Sequence, residues 1–254
     1  MSVAQNVMFV HAHPDDESLW TGGTIAEITA RGDYASLVTA TWAPGTHRHI
    51  ELLDATAALG MDDEPIMLGY ADSHVPDSAP GAPRFVDVPF DEQVQVLTRL
   101  IRAQRPEAIV GYDSFGIYGH IDHIHAHRLA VASADAAARP GYGPDLGEPW
   151  QVRSQYFVTL PQSTVDALLP HFTSEAHIPV TGTPDAAIDV TLELPARLGT
   201  KIRAITSHRS ELSRSQSMQQ FAALPREPQR LFLSSEAYQR RDLVTGGVEL
   251  SPAR

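Results

Sequence analysis

Two short clusters of histidine and carboxylate side chains mark this chain of 254 residues. The first occupies residues 13–16 (HPDD), just beyond an apolar run at 7–10, and the second occupies residues 118–123 (YGHIDH). Together they offer two imidazoles and one carboxylate to a metal ion, with a further carboxylate and imidazole beside them. Three protein ligands and one open position for water are typical of a mononuclear metal hydrolase.

His13, Asp16 and His123 are the candidate metal ligands. His13 and Asp16 are three residues apart, so both can face one point where a loop enters a helical turn. Asp15 lies between them and must point elsewhere, which leaves it free to act as a general base on water. His123 from the second cluster would complete a set of two histidines and one aspartate.

His120 and Asp122 are predicted to lie beside the metal rather than on it. His120 could stabilise an oxyanion or protonate a leaving amine, and Asp122 could orient a ligand imidazole through its second nitrogen. A simpler interpretation exists for each cluster: an Asp-Asp pair often caps a helix, and a pair of histidines three apart is often a surface feature. The position of both clusters at predicted strand ends favours the metal site.

The predicted elements place both clusters at one edge of a sheet. Strands at 6–10, 34–41, 65–68 and 108–111 alternate with helical patterns, which are expected at 21–30, 48–59, 91–104 and 123–138. This alternation predicts an α/β fold with a mostly parallel sheet and helices on both faces. Ligands of such sheets bind beyond the C-terminal ends of the strands, where both clusters fall.

We expect one catalytic domain over residues 1–185 and a flexible tail over residues 244–254. Between them, residues 186–243 are predicted to form a strand and helix extension packed on the same domain. The extension is based on a strand pattern at 187–192 and a helical pattern at 196–207, and it would form a smaller C-terminal α/β layer near the site.

The composition limits the classes of function. The chain has no cysteine, so a metal must be held by nitrogen and oxygen ligands. Its formal net charge of −12 argues against nucleic-acid or anionic-membrane binding. No apolar stretch approaches the ~20 residues of a membrane span and no secretory signal is recognisable, so a cytoplasmic location is expected. A homo-oligomer remains possible.

The motifs resemble those of the LmbE-like (PIG-L) family of zinc-dependent N-deacetylases. The resemblance is carried by residues 11–17 (HAHPDDE) with Gly22-Gly23-Thr24 after them, and by the second motif at 112–123. Weaker similarity extends it over roughly residues 5–211. The contexts of Tyr112-Asp113 and Asp72-Ser73 are similar to those of the enzymes of mycothiol metabolism, which include a deacetylase-like subgroup and an amidase of larger S-conjugates.

This resemblance implies a Rossmann-like fold and a zinc ion on His13, Asp16 and His123, although Fe²⁺ suits the same ligands. It implies that Asp15 is the general base and that His120 stabilises the tetrahedral intermediate or protonates the amine. By the resemblance alone, Tyr118 would approach the acyl oxygen, and sugar hydroxyls would be gripped by Arg48 and Asp72.

Several positions depart from the family pattern. Ile121 stands where a proline is usual, which changes loop rigidity and leaves the ligands intact. The loop at 42–47 lacks the usual glycine-glutamate pair, and Glu211 replaces a usual glutamine. His208 lies in a weak later motif and would either support the ligands from behind or line the pocket.

The leading hypothesis is a metal-dependent hydrolase that removes an acyl group, expected to be acetyl, from an N-acylated amino sugar or glucosaminyl conjugate. One alternative is an amidase that cleaves a larger mycothiol S-conjugate. Another is a non-catalytic metal- or sugar-binding module on the same fold. A two-metal phosphoesterase would need more ligands than the two clusters supply.

Overall fold

The apolar strand segments form a single seven-stranded sheet in the computed structural model, which describes residues 5–171 and 181–250. The sheet order is β3-β2-β1-β4-β5-β7-β6. The strands are β1 (Asn6–His11), β2 (Tyr34–Thr41), β3 (Ile66–Tyr70), β4 (Ala108–Tyr112), β5 (Ser154–Thr159), β6 (Val190–Glu193) and β7 (Ser235–Asp242).

The first five strands are parallel, and the last two run antiparallel to their neighbours. Buried parallel strands read as continuous apolar runs because helices cover both sheet faces. This explains why β1 is recognisable from Val7, Met8, Phe9 and Val10, all of which are within 2% of full burial. The predicted α/β class and mostly parallel sheet are confirmed.

The helices of the described residues surround this sheet. Helices α2, α3 and α8 pack together, while α4 packs on α6. The helices are α1 (Asp16–Leu19), α2 (Gly22–Ala30), α3 (His47–Ala58), α4 (Phe90–Gln104), α5 (Gly116–Gly119), α6 (Ile121–Ala137), α7 (Gln162–Leu168), α8 (Leu198–Ser207), α9 (Arg209–Arg214), α10 (Gln216–Ala222) and α11 (Arg226–Leu233).

Local signals account for the ends of α3. Thr46 is the N-cap and its side chain accepts a hydrogen bond from the backbone of His49. Gly60 follows the C-cap with φ of 80°, and Met61 N–H returns to the Thr56 carbonyl. A left-handed residue after the last turn costs least as glycine, as the sequence pattern predicted for this position.

The segment after β5 joins the same sheet, where it provides both β6 and β7. Strand β7 pairs with β5 over six residues and with β6 over four. Its sequence, SEAYQRRD, is too polar to indicate a strand, and it forms one because Ala237 and Tyr238 are buried between neighbours. Helices α7 and α9–α11 were likewise not predicted.

The first seven residues of the predicted flexible tail are packed against the domain instead. Leu250 is 1% exposed in the main core, and Tyr156 donates its hydroxyl proton to the Val248 carbonyl. Residues 244–250 therefore pack along β5, because Leu250 and the partly buried Val248 contact the core. Residues 251–254 lie outside the described residues.

Within the described ranges, none of the helices combines the length and the apolar character needed to cross a membrane.

Candidate active site

The C-terminal ends of β1 and β4 bring three predicted ligands together. His13 Nδ1 lies 3.1 Å from an Asp16 carboxylate oxygen and 3.2 Å from His123 Nε2. The other Asp16 oxygen lies 3.4 Å from the same His123 nitrogen. His13 and Asp16 come from the turn that follows β1, and His123 comes from the first turn of α6.

A second layer of side chains fixes these three groups. Tyr112, the last residue of β4, donates its hydroxyl proton to Asp16 at 2.6 Å and stacks on His123 with ring centroids 4.1 Å apart. His123 Nδ1 lies 3.2 Å from the Gly116 carbonyl, which leaves its Nε2 to face the other two groups. His13 Nε2 contacts Asp122, whose carboxylate also accepts hydrogen bonds from the backbone and hydroxyl of Ser73. Partners of this kind orient metal-ligating imidazoles.

The three groups fit a small divalent cation. Donors at ~2.0–2.2 Å from a tetrahedral ion are separated by about 3.4 Å, close to the observed separations. Burial alone would raise the pKa of Asp16, but His123 and His13 hold it well below its usual range. Burial would lower the pKa of His13, and the carboxylates of Asp122 and Asp16 instead raise it well above 6.5. The carboxylates that raise the pKa of His13 would also favour a metal cation electrostatically.

Two other groupings of possible ligands share His13 and His120, and one of them is completed by His123. His13, Asp72, His120 and Asp122 each offer a ligand atom within 4.8 Å of the others. Here the Nε2 of His13 would be the donor, but that nitrogen contacts Asp122 at 3.2 Å, and Asp122 is held by Ser73. The set with His13 Nδ1, Asp16 and His123 is therefore the better candidate for the resident ion.

Asp15 lies at the start of α1, and its carboxylate pairs with Arg48. Its φ of 114° is in the left-handed region, which is costly for a residue with a Cβ atom. Its backbone N–H is held by the Glu17 carboxylate at 2.9 Å. Burial raises the pKa of Asp15 to about 7, although Arg48 acts in the opposite direction. A carboxylate with a pKa near neutrality is suited to proton transfer.

Arg48 lies behind Asp15 rather than in an open cleft. The side chain is 4% exposed, and its Nη2 is 3.0 Å from an Asp15 oxygen. The same guanidinium contacts the Glu211 carboxylate and the Pro14 carbonyl and stacks over Trp42. Glu211, a departure from the family pattern, therefore serves as the charge partner of Arg48.

His120 stands at the mouth of the site, with its ring 4.6 Å from that of His13 and 4.8 Å from that of His123. The backbone N–H of Asp122 donates to His120 Nδ1, so the neutral ring carries its proton on Nε2. Burial, with His13 and His123 adding to it, lowers the pKa of His120 to about 3. Tyr118 lies against the same group, with its ring 5.1 Å from that of His123.

Asp72 lies beside the candidate ligands, whereas His208 is buried away from the solvent-facing side of the site. One Asp72 oxygen lies 3.5 Å from His13 Nε2, while the other accepts backbone hydrogen bonds from His74 and Val75. His208 is fully buried and its Nε2 contacts Glu17 at 2.7 Å. The sequence left open whether His208 supports the ligands from behind or lines the pocket. In the structure it lies behind the loop of residues 13–17.

Comparison with known proteins agrees with this geometry. Residues 8–134 match the family described as PIG-L, GlcNAc-PI de-N-acetylase. The chain belongs to the PIG-L family. A relative in Mycolicibacterium vanbaalenii, named 1D-myo-inositol 2-acetamido-2-deoxy-alpha-D-glucopyranoside deacetylase, is 35% identical over 87% of this chain and 88% of its own length.

Solved structures show how widely the PIG-L fold is used. The N,N'-diacetylchitobiose deacetylase of Pyrococcus horikoshii has a TM-score of 0.68 at 17% identity, covering 94% of this chain and 84% of its own. A 4-carboxy-2-hydroxymuconate hydratase of Pseudomonas putida has a TM-score of 0.59 at 16% identity, covering 97% and 100%. The fold alone therefore does not determine the reaction, and the argument for function must come from the site.

Some contributors to this PIG-L site were not identified from the sequence. Trp20 donates its indole N–H to Asp16 at 3.0 Å, and Glu17 holds the backbone of Asp15. Tyr112 and Ser73 were seen only as context for the motifs, although both touch the carboxylates beside the ligands. Direct adjacency to a motif residue was the available signal for Glu17 and Ser73.

Proposed function

We propose that this protein is a metal-dependent N-deacetylase that hydrolyses the acetamide of an N-acetylglucosaminyl conjugate, with a glucosaminyl inositol as the preferred class. The observation that carries the proposal is the grouping of His13, Asp16 and His123 within 3.1–3.4 Å of one another beside Asp15 and His120. The PIG-L relatives named as acetamido-glucopyranoside deacetylases supply the substrate class.

His13, Asp16 and His123 would hold the ion, and Zn²⁺ is the ion that best suits two imidazoles and a carboxylate. When bound, the ion would polarise the amide carbonyl and lower the pKa of water. Asp122 and the Gly116 carbonyl keep the two imidazoles turned with the correct nitrogen toward it.

Asp15 would take the proton from the attacking water. With a pKa of about 7, this carboxylate exchanges protons readily near neutral pH, and a nearby cation would move the pKa downward. Arg48 and the contact between Glu17 and the Asp15 backbone hold the carboxylate in one orientation. Asp15 would then return the proton to the nitrogen of the leaving amine.

His120 would stabilise the oxyanion of the tetrahedral intermediate. Its proton is on Nε2, because Nδ1 accepts the Asp122 N–H, and its lowered pKa keeps the ring neutral. A neutral donor in a partly buried site can contribute ~2.7–4 kcal/mol to transition-state stabilisation. Tyr118 would contact the same oxygen from the other side, while Asp72 and the solvent-facing side of the site would receive the sugar.

The deciding experiment combines metal analysis with an assay of amine release. The purified protein is analysed for metal, stripped with a chelator and reconstituted with Zn²⁺ or, under anaerobic conditions, with Fe²⁺. Release of free amine is then measured from N-acetylglucosaminyl inositol, N-acetylglucosamine and a bulky mycothiol-type S-conjugate. His125→Gln is a matched control, since His125 lies on α6 and contacts Gln93 rather than the ligand set.

We expect about one metal ion per chain and amine release that is fastest with the glucosaminyl inositol. Faster cleavage of the S-conjugate would replace the deacetylase proposal by the amidase alternative. Metal and sugar binding without any amine release would favour a non-catalytic module. Failure to bind any transition metal after reconstitution would contradict the ligand assignment itself.

A further inference from the structure

The catalytic centre has two chemically different sides. Toward Asp15 and Asp72 its walls are carboxylates, which suit sugar hydroxyls. Toward α11 its wall is aromatic: the Trp20 ring lies 6.2 Å from that of Tyr118 and 6.1 Å from that of Phe232. The apolar part of an N-acyl substrate is its acyl chain, so the aromatic side is where that chain belongs.

Trp20 forms the part of this aromatic wall closest to the ligand set. It comes directly after α1, which begins at the ligand Asp16, and its indole N–H donates to the Asp16 carboxylate at 3.0 Å. The hydrogen bond fixes the plane of the indole, and contacts with Tyr118 and Phe232 hold its faces. The side chain is only half-buried, so it faces open space as well.

Trp20 also lines a pocket of about 40 Å³. Its apolar lining comes from Leu19, Trp20, Val158, Leu160 and Phe232, and its floor from the ion pair between Lys201 and Glu236. Since roughly 10–15 Å³ of such a volume holds one water-sized group, the pocket has room for about three. The Trp20 indole therefore touches both the Asp16 carboxylate and a pocket large enough for a few methylene groups.

We propose that Trp20 is the residue that restricts the acyl group to acetyl, by separating the catalytic centre from a pocket that would accept a longer acyl chain. The inference rests on the proposed deacetylase function and adds the determinant of acyl length to it. In this proposal the indole limits the space beside the substrate carbonyl to a methyl group. Removal of the indole joins the centre to the space lined by Leu160 and Phe232.

The test compares acyl-chain selectivity in the metal-loaded enzyme. Values of kcat/KM are measured for N-acetyl, N-propionyl and N-butyryl glucosaminyl inositol with the unaltered chain and with Trp20→Ala. One methylene in an apolar pocket changes selectivity by roughly 10–200-fold. We expect the butyryl-to-acetyl ratio to rise at least tenfold in Trp20→Ala.

Two further variants distinguish the role of the Trp20 ring as a barrier from the role of its hydrogen bond to Asp16. Trp20→Phe loses the N–H bond to Asp16 but keeps a ring in place, so its selectivity should stay within about threefold of the unaltered chain while kcat falls. Thr164→Phe in the Trp20→Ala background fills the pocket from α7 and should restore the preference for acetyl. Leu231→Ala is the control, since Leu231 is half exposed on α11 beside Phe232 and does not line the pocket.

Binding of hydroxamic acids gives a readout that does not need turnover. Calorimetry with acetohydroxamic and butyrohydroxamic acid should show the same shift toward the longer chain in Trp20→Ala. Amine release by the unaltered chain tests the proposed function, whereas the shift between variants tests the pocket. An unchanged ratio in both assays, in a folded and metal-loaded Trp20→Ala, would overturn the inference. If Trp20→Ala does not fold, loss of the preference for acetyl in Trp20→Phe, which keeps a ring at this position, would overturn the inference instead.

Discussion

The loop after β1 and the segment from α8 to β7 both reach the catalytic edge of the sheet, but they bring different kinds of group. The loop supplies His13, Asp15 and Asp16 within four residues. The later segment supplies charges that pair with residues of the first half: His208 with Glu17, Glu211 with Arg48, and Glu236 with the backbone of α2. The first region carries the chemistry, and the second holds it in place.

Glu236 illustrates the supporting role. Its carboxylate accepts hydrogen bonds from the backbone N–H groups of Gly23 and Thr24 and from the Lys201 ammonium, at 2.6–3.0 Å. A Cβ atom on Gly23 would lie 2.9 Å from the same carboxylate, so only glycine allows this approach. Helix α2 is thereby tied to β7, a strand more than 200 residues later in the chain.

The largest difference between the two regions is expected when a buried histidine of each, His13 or His208, is replaced by alanine. His13→Ala should remove the metal, and with it several kcal/mol of transition-state stabilisation, which is a loss of roughly 10³-fold or more. His208→Ala should keep about one metal per chain and lower mainly the melting temperature. Both variants are compared by metal analysis, melting curves and kcat/KM. If His208→Ala lost its metal and His13→Ala kept it, the roles assigned to the two regions would be reversed.

Asp15→Asn should lower kcat by a factor of ~10²–10⁴, because it removes the proton acceptor and keeps the shape of the side chain. Metal content should be unchanged, since the Asp15 carboxylate pairs with Arg48 and is not one of the three proposed ligands. The measurement is kcat beside elemental analysis of the same preparation. Near-normal turnover would show that another group takes the proton.

Lys201→Met should lower the free energy of unfolding, because it disrupts the segment from α8 to β7. It breaks an ion pair whose two side chains are each 2% exposed, and breaking a buried pair costs ~3–5 kcal/mol. The control is Arg197→Met, which breaks the more exposed pair between Arg197 and Glu27 and should cost ~0–1 kcal/mol. Urea unfolding gives both free energies, and equal values would mean that burial does not distinguish the two pairs.

The smallest effect concerns the pH dependence of the pair between His208 and Glu17. Burial opposes the charge on both groups, but each partner outweighs it, so the pKa of His208 is raised above 6.5 and that of Glu17 is lowered below 4.5. The stabilisation from His208 is lost as pH rises through its raised pKa, and that from Glu17 is lost as pH falls through its lowered pKa.

His208→Gln should therefore reduce the free energy of unfolding most between pH 4.5 and 6.5, by roughly 1.5–3 kcal/mol. The difference from the unaltered chain should shrink at higher and at lower pH. Unfolding measured at a series of pH values tests this, and a difference that grows steadily with pH would contradict the ionised pair.

The parallel half of the sheet was predictable because its strands are short apolar runs that end in chemically distinct clusters. Strand β7 was not predictable, since its polar sequence becomes a strand only between β5 and β6. The same contrast applies to the site. His13, Asp16 and His123 are recognisable by residue type and spacing, whereas the pairing of Arg48 with both Asp15 and Glu211 depends on contacts across 33 and 163 positions.

The sequence by itself determined the α/β class, the PIG-L motifs and the residues that could hold a metal ion, because these depend on local periodicity and on side-chain chemistry. The tertiary structure decided how those residues are held and what surrounds them. Segments distant in the chain supply the Asp122 contact that orients the His13 ring, the burial that raises the pKa of Asp15, and the pocket that Trp20 lines. Hydrogen-bond direction, burial and cavity shape are properties of packed neighbours, and a linear sequence does not specify which neighbours those are.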